Sequence, residues 1–189
     1  MISALLEAGA DINARSHWWA GSFGVLDHNG DRSLSDWLIA RGARVDAHAA
    51  ARLGMLDRLR ELLAADPSLV HARGGDGQTP LHFAANVAVA ECLLKHGADP
   101  NIRDIDHEST PAQWMVRDRQ DVARYLVSQG CETDLLLAAA LGDAALVRRH
   151  LEKNPDCIRL TVSRRDFPMT NLHAGGCIYT WTLGADKTA

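Results

Sequence analysis

The chain has no apolar run near the roughly 18 residues that a membrane-spanning helix needs. Its 47% apolar content is therefore available for a buried core. It has no charged-then-apolar leader at its start, and the expected compartment is the cytoplasm. Its four cysteines, at 92, 131, 157 and 177, show no C-x-x-C pair or other paired spacing. That favours buried, reduced thiols over disulfides or metal ligands. The formal charge of −4 argues against non-specific nucleic-acid binding. There is no Gly-rich phosphate loop, no G-x-S-x-G and no H-E-x-x-H, nor a nucleophile with a base and an orienting group. The expectation is a chain that is not an enzyme and takes no cofactor or metal.

What is present is repetition. Q-T-P-L-H-F-A-A-N (Gln78–Asn86) is followed by G-A-D-P-N (Gly97–Asn101). Thr79 can cap a helix start, Pro80 suits the first helical position, and Gly97 supplies a left-handed helix stop. Thr-Pro returns at Thr110-Pro111, 31 residues on. The helix stop returns at Gly9-Ala10, Gly42-Ala43 and Gly130-Cys131. The spacing predicts helices near 2–8, 33–41, 47–53, 57–65, 80–85, 89–96, 111–117, 120–128, 134–141 and 144–152, with loops at 14–24, 67–79, 99–110 and 155–188. Alternation around Tyr179 and Trp181 predicts strand character in the last loop.

These phrases resemble the ankyrin-repeat family, and the resemblance runs from Met1 to about Pro155. It implies an all-α repeat solenoid of helix–turn–helix units joined by β-hairpin loops. The units fall at 1–14 (partial), 15–45, 46–72, 73–103, 104–133, 134–155 and 156–189 (partial, with an inserted hairpin). Two of them, 46–72 and 134–155, have no hairpin and align with each other at an offset of 88. The opening I-S-A-L-L-E-A-G-A-D reads as a second helix without a first. The closing G-A-D-K-T-A reads as the start of a further unit, so the chain is expected to be a segment of a longer array.

The histidines are scattered. By the resemblance, His82 ties a helix start to neighbouring loop backbone, His48 takes the same slot, and Gln113 replaces it in the next unit. D-I-D-H-E (Asp104–Glu108) could in principle hold a hard metal or act as an acid–base pair, but it is read as a solvated acidic loop. Asp27-His28-Asn29-Gly30-Asp31 fits neither a calcium nor a zinc spacing.

By the resemblance, hairpin tips and inner helices line one concave surface. It points to Arg73, Gly75, Asp76, Gln78, Asn86 and Val87 in one unit and Asp104, Asp106, His107, Ser109, Arg117 and Asp118 in the next. The clipped units could contribute only Arg52, Leu53, Ala140 and Leu141, leaving a notch beside each. Trp18 and Trp19 lie in a loop and are candidate anchors for a partner, as is Trp114 on an inner helix, although stacking core is the commoner role there. Trp37 is expected in the core. Acidic tips would steer a protein partner carrying a basic patch. The expected function is a monomeric, non-catalytic protein-interaction scaffold. The alternative is the regulatory repeat region of an enzyme whose catalytic domain lies outside this chain.

Overall fold

The computed structural model describes residues 1–27 and 30–184. His28 and Asn29 of the polar turn, and the chain end from Ala185 on, lie outside the described residues.

Polar caps and glycine stops set the helix ends. The helices are α1 (Ile2–Glu7), α2 (Arg32–Ile39), α3 (Ala47–Arg52), α4 (Leu56–Ala65), α5 (Val87–Lys95), α6 (Pro111–Trp114), α7 (Gln120–Ser128), α8 (Leu135–Ala140), α9 (Ala144–Lys153) and α10 (Tyr179–Thr182). A 3₁₀ turn, Pro80–Phe83, takes the place of an inner helix between α4 and α5. Asp46, Asn86 and Asp134 cap α3, α5 and α8 by accepting the N–H of Ala49, Val89 and Leu137. Each removes one orphan donor, worth about 1 kcal/mol. At the other ends, Gly97 and Gly130 adopt positive φ, and the following residues donate back to Leu93 and Leu126.

Short helices survive because they stack. In the inner layer α3 packs on Pro80–Phe83, which packs on α6. In the outer layer α4 packs on α5 and α5 on α7. The apolar stripe predicted in α4 is buried at Leu59 and Leu63, and that of α7 at Val122 and Leu126. One core runs from Ala47 to Tyr179, with small residues such as Ala51, Ala84 and Ala112 buried between the inner elements. A smaller cluster of Leu26, Leu38, Ala43 and Ala49 serves the N-terminal units, with half-buried Trp37 against it. All four cysteines are buried and free, and burial pushes the Cys131 thiol up to about 11. Asparagines add a staple from unit to unit: Asn13 accepts from the Arg44 N–H and donates to the Gly42 carbonyl, and Asn101 accepts from the Glu132 N–H.

The loops between units are compact fingers. Among the described residues there is no strand, and one isolated β-bridge pairs Trp18 with Gly21. The expected strand around Tyr179 is instead helix α10, with Thr182 and Leu183 donating to Ile178 and Tyr179. Two aromatic residues at alternate positions are too short a signal to separate the periods, and Tyr179 is buried by packing α10 on α6. The segment from Pro155 to α10 is therefore a 3₁₀ turn (Pro155–Arg159) followed by a long loop, not an inserted hairpin.

Candidate partner-binding surface

The fingers form a continuous row. Phe23 lies against Gly75, where an added Cβ would meet its ring at 1.8 Å, and Gly21 lies against the Gly74 carbonyl. The Asp76 carbonyl accepts from the N–H groups of Ile105 and Asp106, at 2.8 and 3.1 Å. The Asp106 carbonyl accepts from the Gly175 N–H at 2.9 Å. Glycine makes the closest of these approaches possible, because no side chain separates the backbones.

The notches beside the two clipped units are consequently closed. Phe23, set against Gly75, bridges the first. The C-terminal segment fills the second, and it docks by specific bonds. Glu108 accepts from Thr170 and Asn171. His107 Nδ1 donates to the Gly176 carbonyl at 2.7 Å, and Ser109 Oγ accepts from the Ile178 N–H. The Tyr179 hydroxyl donates to Asp134, the cap of α8, which also accepts from Gln113.

The D-I-D-H-E loop is thus not solvated, which corrects the sequence expectation. Asp104, Asp106 and His107 are buried. Asp104 accepts from the Ser109 N–H and from the Trp114 indole, at 3.1 and 2.8 Å. Burial raises its pKa above the usual carboxylate range, against the pull of those bonds. Ligand atoms of Asp76, Asp106 and His107 lie within 4.8 Å of one another. His107 Nδ1 and Asp106 Oδ1 are both committed, to Gly176 and to the Gly175 N–H.

The motif histidine behaves as the resemblance implied. His82 Nδ1 accepts from the Thr79 N–H, so its proton sits on Nε2 and is donated to the Ser109 carbonyl. Burial drives its pKa down to about 3. His48 reaches the Ala72 and Gln78 carbonyls in the same way, and Gln113 repeats the cap by accepting from the Thr110 N–H.

A family model for ankyrin repeats (3 copies) matches residues 47–136. The ankyrin repeat protein YahD of Escherichia coli (strain K12) is 29% identical over 148 residues, covering 68% of this chain and 73% of YahD. Residues 47–136 of this chain are ankyrin repeats. Two further relatives are much longer than the shared region. The rat ankyrin repeat and SAM domain-containing protein 6 is 31% identical over 126 residues, 64% of this chain and 14% of that protein. The serine/threonine-protein kinase VIK of Arabidopsis thaliana is 51% identical over 49 residues, 24% of this chain and 11% of the kinase. Ankyrin repeats generally mediate protein–protein interaction, and the family is typically non-catalytic.

Within this ankyrin stack the expected site residues separate into two groups. Gly75, Gln78, Asp104, Asp106, His107, Ser109 and Leu141 are buried, so their work is internal. Asp76, Val87, Leu53 and Ala140 are half-buried. Asn86 is exposed but spent as the cap of α5. Arg73 is exposed, with its guanidinium donating to the Gly77 and Arg103 carbonyls. Trp18, Trp19, Arg117 and Asp118 remain exposed, and Trp114 is half-exposed. Trp19 meets His173 of the C-terminal loop at 6.0 Å between ring centroids, and Leu172 beside it is 91% exposed. The contributions of Phe23, Leu172 and Gly175 were not legible in the sequence. The paired glycines at 175–176 are the one signal that marked a close backbone approach there.

Proposed function

We propose that this chain is a non-catalytic, monomeric interaction module that holds a protein partner on its concave wall, with Trp18 and Trp19 as the anchor. The observation that carries this reading is the exposure of both tryptophans, 48% and 40%, on the first finger beside an exposed leucine of the C-terminal loop. Large aromatic residues at such positions supply most of the energy of a protein interface. Arg73, Trp114 and Arg117 extend the surface along the wall. The carboxylates once expected to steer a basic partner are engaged by donors of the chain itself, so the wall attracts by shape and aromatic area more than by charge.

Affinity capture followed by identification and titration of each partner tests the reading. A Trp18→Ala, Trp19→Ala variant should bind its partner weaker by about 2 kcal/mol or more and melt at the wild-type temperature. Unchanged affinity for every partner would refute the assignment. A second reading, the regulatory repeat region of a larger enzyme, is supported by the similarity to the kinase VIK. The open reading frame around this chain decides between them.

A further inference from the structure

Two side-chain atoms are buried without a hydrogen-bond partner among the described residues: Arg52 Nε and Gln78 Oε1. Both residues line the same cavity, of about 210 Å³, on the inner face of the stack. Its floor is α3 and the Pro80–Phe83 turn, one wall is the α6–α7 loop, and α10 overhangs it. Arg117 completes the polar side, and Phe83, Ile178 and Trp181 supply an apolar side.

Left to itself this arrangement is costly. A buried polar atom without a partner loses about 1–3 kcal/mol, and more when the group is charged. Gln78 is 2% exposed, so solvent does not relieve it. Charge adds to the imbalance. Arg119 also lines the cavity, and its guanidinium is committed to the His82 and Ala84 carbonyls and to Asp118. Burial pulls Arg119 down from its ordinary pKa, Asp118 opposes that, and repulsion from Arg52 adds to it. Asp118 is the only carboxylate on the lining, and Arg119 already engages it. Arg52 and Arg117 therefore share a lining whose one carboxylate is already paired with another arginine.

We propose that this cavity binds a small anionic molecule: a carboxylate or phosphate head held by Arg52 and Arg117, with a short apolar body against Phe83, Ile178 and Trp181. Guanidinium forks match both head groups in geometry. The cavity is below the about 300–1,000 Å³ of drug-sized sites, so the ligand is a fragment with at most one ring. The site is separate from the Trp18–Trp19 anchor and does not depend on a macromolecule docking there.

Calorimetric titration at low salt tests this on the whole chain, with phenyl phosphate and benzoate as anionic probes, inorganic phosphate as the bare head and benzyl alcohol as the neutral body. Saturable binding of either aryl anion, tighter than that of inorganic phosphate and absent for benzyl alcohol, is the expected result. Arg52→Met should weaken it about tenfold or more while leaving the melting temperature unchanged or raised, because a buried donor without a partner is removed. No saturable heat at millimolar anion, equal binding of benzyl alcohol, or full affinity in Arg52→Met would overturn the proposal. A lowered melting temperature with unchanged binding in Arg52→Met would make Arg52 a structural residue and overturn it as well.

Discussion

His82 has to be neutral to hold its place, and this makes it a point of acid sensitivity. Its folded pKa of about 3 lies below the unfolded value of 6.5, so the unfolded chain takes up a proton that the native one refuses. Stability is full above pH 6.5 and falls as the pH drops toward 3, by about 1.4 kcal/mol per unit at most. The neighbouring unit shows the remedy, because Gln113 makes the same cap without titrating. His82→Gln should keep most of the stability at pH 7 and flatten its decline between pH 6 and 4, as read from urea melts. Tyr179 is a second sensitive residue. Its hydroxyl bonds Asp134, and burial together with that carboxylate holds the phenol protonated. Tyr179→Phe should lower stability by about 1.5–3 kcal/mol, the range for a hydrogen bond to a charged group. His82 was legible in the sequence because its capping partner Thr79 lies in the same repeated phrase. Tyr179 was not, because Asp134 comes from another unit and periodicity carries no news of it.

The fingers are where elements meet without helical packing to guide them. Gly75→Ala should splay the first two fingers, since its Cβ would collide with the Phe23 ring. The cost should largely disappear in a Phe23→Ala background, and a double-mutant cycle measures that coupling. The C-terminal loop is fastened by Glu108, whose carboxyl is raised by burial but pulled further down by bonds from Thr170 and Asn171 and by Arg103. A lowered folded pKa means the attachment is complete above pH 4.5 and weakens as the pH falls. Amide exchange at Thr170 and Asn171 should accelerate below that pH, and at neutral pH in Glu108→Ala. Element ends were readable where caps and glycine stops act within a few residues, whereas the inner helices expected at 80–85 and 111–117 stop early, at Phe83 and Trp114. The burial of Asp104, Asp106 and His107 was not readable, because their cover arrives from residues 170–178. A charged loop seen alone looks wet.

At the scale of the whole molecule, most helix pairs touch only the pair before and after, which is why a local phrase could announce the architecture. The bond between His107 and Gly176 breaks that rule by spanning 69 residues. It joins the 104–133 unit to the C-terminal segment across a pair that carries no finger. Fingers therefore number fewer than helix pairs, yet each still touches the next. A fingered edge shorter than the helical stack behind it would bend the stack toward that edge. Inserting or deleting one fingerless pair would change the radius of the groove while leaving the row of tips the same length, a way of resizing a grip without rebuilding the surface that does the gripping.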